Sequence, residues 1–351
     1  MSSNKTLRSA AKNKNDEFYT QLEDIEKEIL GGGYDLKQFE NKTVFCNCDD
    51  PYESNFTKFF IYNFNYLKLK RLICTCFKGS MIAVKGNLFK TILPQQQGYV
   101  LDISEVPIKE GLTYEEVAKY INKNKLIKNL QGNGDFRSPE VIEYLKQADI
   151  VITNPPFSLF REYIAQLIEY KKQFLVMGNG NSLICKEIFP LFMNNIIWFG
   201  KTGGTMTFRI RDDFDQIIDT ATKRKNDGHK WQDVQSIAWF TNLDLQRKHE
   251  RLVLYKTYKG NEKDYPKYDN YNAINVDKVQ DIPIDYQGYM GVPISFIGKH
   301  NPEQFKILGF TNTGEENKGI RLENTQHGRA IVKGKEIYTR LLIQRINKED
   351  N

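Results

Sequence analysis

Short apolar runs alternate with amphipathic stretches between about residues 40 and 195 of the chain. Runs of apolar and β-branched residues predict strands, whereas apolar residues three or four positions apart predict helices. The predicted strands span 43–48, 71–76, 81–85, 99–103, 149–153 and 173–177. The predicted helices span 16–30, 56–66, 114–122, 138–147, 159–170 and 186–194.

This alternation predicts an α/β fold, in which a parallel sheet has helices on both of its faces. Ser138 and Pro139 suit the start of a helix, because serine caps the first N–H groups and proline fits the first turn. The three glycines at 31–33 are typical of a helix end. They precede the first strand, whereas a phosphate-binding loop follows a strand, so they do not predict a nucleotide site.

The pattern changes after residue 195. Aromatic, strand-like pieces over 196–199, 205–210 and 236–240 alternate with charged loops over 222–231 and 261–272. We therefore expect an appended α+β region here rather than more of the same sheet.

Composition narrows the class of protein. The chain has 351 residues, 40% of them hydrophobic and 13% aromatic, which supports one or two packed domains and excludes a disordered chain. No apolar run approaches the roughly 18 residues of a membrane span, and the polar, basic first residues hold no secretory signal. Five cysteines, an odd number, indicate a reducing cytoplasm. The net charge of +6 is compatible with a polyanionic partner.

The strongest chemical signal is the run Asn154, Pro155, Pro156 and Phe157, which directly follows the predicted buried strand 149–153. Ligands of open α/β sheets bind at the carboxyl ends of strands, so a site is expected here. The side-chain oxygen of Asn154 and the carbonyl oxygen of Pro155 can both accept hydrogen bonds from an exocyclic amine, which aims its lone pair at a methyl donor. The prolines fix the backbone, and Phe157 can stack on an extruded base. The pattern favours amine methylation over a plain strand-to-helix turn.

Other candidate sites are weaker. Cys46 and Cys48, like Cys74 and Cys76, lie on predicted strands that could be neighbours, and four thiolates can hold zinc. Zinc-binding pairs usually have two or more residues between them in a turn, so buried strand residues are the better interpretation. The four histidines are scattered along the chain, and we predict no metal site.

With the run Asn154–Phe157 the chain resembles the amino-methylating, S-adenosylmethionine-dependent DNA methyltransferases, whose catalytic motif is (N/D/S)PP(Y/F). More specifically, it resembles the EcoRI-type adenine-specific DNA methyltransferases. The similar segments are NDEFYTQLEDIEKEI (15–29), VFCNCDDPYESNF (44–56), GDFRS (134–138), NPPFSLFREY (154–163) and GVPISFIGKHNPEQFKILG (291–309). The resemblance implies a Rossmann-like methyltransferase sheet, S-adenosylmethionine as the cofactor, and the run 154–157 as the catalytic residues.

The resemblance also implies cofactor-binding residues. Asp135 is expected to accept a hydrogen bond from the cofactor adenine, and Phe136 to pack on its ring. Tyr19 and Thr20 belong to a segment that closes over the methionine end, although Thr20 is equally suited to cap the first helix. An acidic residue for the ribose is not evident after the second strand, and Asp102 is the nearest candidate.

The loop after the first strand departs from the family pattern. Asp50 and Pro51 match its acidic-Pro start, and Asp49 or Asp50 is expected to bind the charged methionine amine. The family usually has glycines next, because the backbone approaches the cofactor closely there. This chain has Ser54 and Asn55 instead, which puts the geometry of the loop in question.

The substrate implied by the resemblance is double-stranded DNA, from which an adenine must leave the duplex to be methylated. The predicted divisions are a flexible basic arm over 1–15, a catalytic domain over 16–195, a target-recognition region over 196–290, and a segment over 291–351 that packs on the catalytic domain. Phosphate contacts are expected from Lys223, Arg224, Lys225 and Lys230. A solvated loop is the alternative for this charged run, and the basic arm could make the contacts instead.

Two other functions stay open on the sequence. One is a methyltransferase acting on RNA or on a protein glutamine amide, and the other is a catalytically silent DNA-binding relative. For the DNA methyltransferase implied by the resemblance, we expect pairing with a restriction endonuclease, no membrane partner, and a cytoplasmic, nucleoid-associated location in a prokaryote or phage.

Overall fold

The centre of the fold is an eight-stranded sheet formed by the apolar runs of the sequence. The computed structural model describes residues 19–51, 54–77, 97–106, 113–209, 228–311 and 329–346. The predicted basic arm, the predicted strand 81–85 and the residues Lys223, Arg224 and Lys225 lie outside these ranges. The described chain divides into two compact units, one of residues up to 188 with 199–244, the other of 189–198 with 245 onward.

The larger sheet lies in the first of these units. Its strands are β1 (Thr43–Cys46), β2 (Arg71–Cys76), β3 (Tyr99–Ile103), β4 (Ile127–Asn129), β5 (Ile150–Thr153), β6 (Gln173–Asn179), β7 (Trp198–Arg209) and β8 (Trp231–Thr241). They are arranged in the order β4-β3-β2-β1-β5-β6-β8-β7.

The four central strands of this sheet are parallel. β1 pairs in parallel with β2 and with β5, and β5 pairs in parallel with β6. Every residue of β1 and β5 is buried, as expected for strands that are covered on both faces. Parallel strands bring their carboxyl ends to one edge of the sheet, where ligands of such folds bind. The predicted Rossmann-like α/β class is confirmed.

Helices alternate with the strands along the chain, as the sequence predicts. Those of the first unit are α1 (Leu22–Ile29), α2 (Asn55–Tyr62), α3 (Tyr114–Lys123), α4 (Pro139–Gln147) and α5 (Phe160–Glu169). The predicted cap Ser138 accepts a hydrogen bond from the backbone N–H of Val141 at 3.3 Å. Within the described ranges, no helix has both the length and the apolar character needed to cross a membrane.

The strand-like pieces after residue 195 differ from the prediction. They form two long strands, β7 and β8, which complete the eight-stranded sheet. β8 pairs antiparallel with β6, from Thr241 opposite Leu175 to Ile237 opposite Asn179. The predicted boundary at 195 therefore does not coincide with the division of the structure. A strand that runs antiparallel has no following crossover helix, so the helix–strand alternation that marks the parallel part is missing.

The second unit is a smaller α+β body. A four-stranded sheet has the order β11-β14-β10-β9, and two further strands form a hairpin. The strands are β9 (Ile274–Asn275), β10 (Met290–Val292), β11 (Phe305–Phe310), β12 (Ile331–Val332), β13 (Lys335–Glu336) and β14 (Leu341–Arg345), and the helices are α6 (Phe189–Met193) and α7 (Gln246–His249). Tyr268, Tyr271 and Leu342 are buried together in its core.

Glu28 is a buried carboxylate that joins α1 to β7. It accepts hydrogen bonds from the Tyr34 hydroxyl at 2.6 Å and from the backbone N–H groups of Lys201 and Thr202, each at 2.6 Å. The Thr202 hydroxyl adds another at 2.7 Å. Because all of these partners are donors, the site accepts only a group that offers lone pairs on both side-chain oxygens.

We expect Glu28→Gln to destabilise the protein by about 2–4 kcal/mol, because the amide turns a donor toward buried donors. Glu23→Gln, on the exposed side of α1, is the matched control and should change stability by less than about 0.5 kcal/mol. Urea unfolding followed by circular dichroism measures both. Equal stability of the two variants would contradict this account of Glu28.

Candidate functional site

Asn154 lies at the carboxyl edge of the sheet, immediately after β5. The backbone N–H of Cys48, just past the end of β1, donates to the hydroxyl of Thr153 at 3.2 Å, so the ends of β1 and β5 are joined. Pro155 is buried, whereas Asn154 and Phe157 are partly exposed. A short 3-10 turn over Phe157–Leu159 then leads into α5. The start of the predicted catalytic run is thus tied to the end of β1 through Thr153, and parts of Asn154 and Phe157 reach the surface.

Thr20 contacts the Asn154 side chain although 134 positions separate them. The Asn154 Nδ2 donates to the Thr20 hydroxyl at 3.2 Å, and the Asn55 Nδ2 donates to the Thr20 carbonyl oxygen at 2.8 Å. The backbone N–H of the neighbouring Tyr19 donates to the carbonyl oxygen of Arg209, the last residue of β7, and the two residues form an antiparallel β-bridge. The alternative of Thr20 as a helix cap is wrong, because Gln21 is the residue preceding α1 and it makes no side-chain cap.

Asp49 is buried beneath the catalytic run. Its carboxyl group accepts hydrogen bonds from the Ser54 hydroxyl at 2.9 Å, from the Thr153 hydroxyl, and from the backbone N–H of Asn154. Burial raises the pKa of Asp49 to about 7, and the nearby charge of Asp50 adds to the rise, although the hydrogen bonds oppose it. Asp49 therefore holds the end of β5, in addition to any contact with a ligand.

Asp50 and Pro51 follow Asp49 and are also buried. The side chains that replace the family's glycines point back into the protein. Ser54 accepts from the backbone N–H of Phe56 at 3.0 Å as it caps α2, and Asn55 binds Thr20. The two polar side chains that stand in place of glycine are thus occupied, Ser54 by a short-range bond at the start of α2 and Asn55 by a long-range bond to Thr20.

The segment holding Asp135 and Phe136 runs over the carboxyl end of β2. Gly134 adopts a φ of +75°, and a side chain there would collide with the carbonyl oxygen of Cys76, the last residue of β2. Only glycine meets both requirements. This close approach brings Asp135 to the same edge of the sheet as Asn154.

Arg137 engages both predicted adenine-binding residues. It donates to the Asp135 carboxylate at 2.9 and 2.7 Å, and this ion pair lowers the pKa of Asp135. Its guanidinium also lies 5.2 Å from the centroid of the Phe136 ring, whose edge-on partner is Tyr163 at 5.1 Å. Phe136 is only 5% exposed, so a ligand ring can reach it only beside or in place of Arg137.

Asp102 is not brought to this group of residues. It lies opposite Ile73 in the antiparallel pair of β2 and β3, and it binds Arg71 at 2.6 and 2.5 Å. Arg71 begins β2, so this ion pair lies toward the amino end of the strand. The antiparallel course of β3 directs Asp102 away from the carboxyl edge, and the ribose role predicted for it has no support in the geometry.

The remaining predicted residues are placed as follows. Lys230 is exposed just before β8, whereas Lys223, Arg224 and Lys225 lie outside the described ranges. Cys46 and Cys74 face each other in register across β1 and β2, and burial raises the pKa of the Cys46 thiol. Within the part of the chain that the structure describes, no group of three or more His, Cys, Asp or Glu side chains is arranged to hold a metal ion.

Sequence reasoning missed two features of the site. Thr153 is as central as Asp49, and its position directly before the catalytic run was the available signal. Phe77, which follows β2, is 44% exposed at the carboxyl edge. Where the family resemblance leads one to expect an acid for the ribose, this chain has an aromatic surface on which a ligand ring can lie.

Comparison with known proteins identifies close relatives along the whole chain. A family model described as the adenine-specific methyltransferase EcoRI matches residues 6–346. The type II methyltransferase M.EcoRI of Escherichia coli is 41% identical over 340 residues, which cover 95% of this chain and 98% of the relative. The type II methyltransferase M.MpnI of Mycoplasma pneumoniae is 38% identical over 346 residues, 95% of this chain and 96% of the relative. No solved structure matches the chain.

The raised pKa of Asp49 predicts a pH dependence of stability. A folded-state pKa of about 7, above the ordinary 3.8, means that the folded protein binds the extra proton, so stability falls as the pH rises toward 7. The free energy of unfolding of the wild type should fall by about 1–3 kcal/mol between pH 5 and pH 8, relative to that of Asp49→Asn, whose side chain does not titrate. Urea unfolding of both proteins at the two pH values measures this. A pH-independent difference between them would contradict it.

Proposed function

The chain belongs to the EcoRI family of adenine-specific methyltransferases, and we propose that it transfers a methyl group from S-adenosylmethionine to the N6 amine of an adenine in double-stranded DNA. The observation that supports this most directly is the position of Asn154. Its carboxamide is held by Thr20 at the carboxyl edge of the sheet, beside a backbone that Asp49 fixes.

The chemistry of the residues at this edge suits the proposed cofactor. S-adenosylmethionine has a positive charge on sulfur and on its amine, and the acids Asp49, Asp50 and Asp135 lie along the edge. Because the Asp49 carboxyl group already accepts three hydrogen bonds from the protein, Asp50 is the better partner for the cofactor amine. Phe77 and Phe136 offer aromatic surface for the adenine, and the bound cofactor supplies an electrophilic methyl group.

The residues of the catalytic run have separate tasks. The Oδ1 atom of Asn154 and the carbonyl oxygen of Pro155 each accept a hydrogen bond from the adenine amine and stabilise the positive charge that develops on nitrogen. Bound S-adenosylmethionine would supply the methyl group and keep the electron pair of its carbon–sulfur bond, and the nitrogen that gains the methyl group would lose a proton to solvent. Pro156 fixes the turn, and the partly exposed ring of Phe157 stacks on the extruded base. This is a direct displacement in which alignment lowers the barrier.

The DNA partner requires positive charge outside the sheet edge. We assign phosphate contacts to Lys223, Arg224, Lys225 and Lys230, since a flipped base needs the duplex held on both sides. The matched relatives are named type II methyltransferases, and we also propose that a restriction endonuclease with the same target accompanies this chain. Its place is then with the DNA of a bacterium or phage.

Identifying the molecule that accepts the methyl group tests the proposed function. With tritiated S-adenosylmethionine and unmethylated bacterial DNA, total RNA or a protein extract, label should enter DNA alone, as N6-methyladenine. Sequencing the DNA of cells that express the chain then gives the recognised site. Label in RNA or protein would replace the proposal with the alternative acceptors.

Asn154→Ala should lower the rate of methyl transfer about 100-fold or more, because the adenine amine loses its side-chain acceptor. The affinity for S-adenosylmethionine, measured by calorimetry, should change less than about twofold, since no role in cofactor binding is assigned to this side chain. Near-normal turnover of the variant would remove Asn154 from the catalytic site.

Asp135→Ala and Phe136→Ala should each weaken S-adenosylmethionine binding about tenfold, the effect of losing one charged hydrogen bond or one aromatic contact. Glu162→Ala is the matched control, because Glu162 binds the same Arg137 at 3.3 Å but lies outside the proposed pocket. Calorimetric titration measures all three. Unchanged affinity in both pocket variants would locate the cofactor elsewhere.

A further inference from the structure

Thr20 is in contact with the proposed catalytic side chain but has no direct part in the chemistry described above. It is 5% exposed, and its hydroxyl accepts a hydrogen bond from the Asn154 Nδ2 at 3.2 Å. Its backbone carbonyl is held by the Asn55 Nδ2 at 2.8 Å. The first turn of α2 thus fixes Thr20, and Thr20 in turn contacts the end of the Asn154 side chain.

The orientation of the Asn154 carboxamide matters because its two ends have opposite hydrogen-bonding character. The oxygen accepts and the NH2 group donates, and the two are nearly the same size. The adenine amine is a donor toward this position. A carboxamide rotated by half a turn would set donor against donor and lose the proposed contact.

Met177 determines where the proton of the Thr20 hydroxyl points. The Thr20 Oγ1 donates to the Met177 sulfur at 3.8 Å, and a thioether can only accept. With its proton turned to Met177, the hydroxyl oxygen presents lone pairs to Asn154 and pairs with its NH2 end. Met177 is fully buried in β6, so this direction is fixed by the core of the sheet.

We propose that Thr20 is a positioning residue that sets the orientation of the Asn154 carboxamide, so that Oδ1 faces the adenine amine. This inference rests on the proposed function, in which Asn154 is the acceptor for that amine. It gives Thr20 a role different from the cofactor contact that the family resemblance implies. The role concerns the rate of transfer and leaves cofactor affinity unchanged.

The test compares single-turnover methylation of unmethylated bacterial DNA at saturating S-adenosylmethionine. Thr20→Val, which keeps the shape but lacks the hydroxyl, should be about five- to tenfold slower, the effect of one neutral hydrogen bond. Thr20→Ser, which keeps the hydroxyl, should stay within about twofold of the wild type. The cofactor dissociation constant, from calorimetry, should be unchanged in both.

An Asn154→Asp background separates positioning from packing. The two oxygens of a carboxylate are equivalent, so its orientation needs no help, and the family motif (N/D/S)PP(Y/F) admits aspartate. In this background Thr20→Val should slow transfer no more than about twofold. Equal losses in both backgrounds would overturn the proposal. If the Asn154→Asp chain is too slow to measure, equal losses in Thr20→Ser and Thr20→Val overturn it instead.

Two controls keep the outcomes distinct. Thr241→Val removes a buried hydroxyl that bonds Phe174 and Leu243 at the opposite end of the sheet, and it should lower stability without changing the rate. A weaker cofactor affinity with an unchanged rate in Thr20→Val would assign Thr20 to the cofactor and overturn the proposal. Asn154→Ala tests the proposed function separately, since full activity of that variant refutes the function itself.

Discussion

The site depends on one buried carboxyl group, that of Asp49, at the junction of β1 and β5. Burial of this acid is costly, and the fold offsets the cost with hydrogen bonds from Ser54, Thr153 and the backbone of Asn154. These same bonds fix the strand end from which the catalytic run emerges. An acid that is expensive to bury therefore also determines where Asn154 lies.

The sheet supplies the geometry that makes this junction useful. Because β2, β1, β5 and β6 are parallel, the loops after their carboxyl ends meet at one edge. The Gly134 turn brings Asp135 over the end of β2, and Thr20 reaches the end of β5. The antiparallel strand β8 pairs with β6, so Met177, itself fully buried, lies inside the sheet and can direct the Thr20 hydroxyl.

Local signals in the sequence predicted much of this arrangement. The strands 71–76 and 99–103 and the cap at Ser138 agree with the structure, because apolar runs and capping residues act over a few positions. Tertiary pairing was not predictable in the same way. The contact of Thr20 with Asn154, the engagement of Asp102 by Arg71, and the entry of β7 and β8 into the sheet all depend on residues far apart in the chain.

The most direct test of the account is a crystal structure of the protein with S-adenosylhomocysteine, the product that remains after methyl transfer. We expect the adenine of this product beside Phe136 or Phe77, its amine beside Asp50, and its sulfur facing the Asn154 side chain, with Thr20 still bound to the Asn154 Nδ2. A ligand bound at another edge of the sheet, or a sulfur remote from Asn154, would contradict it.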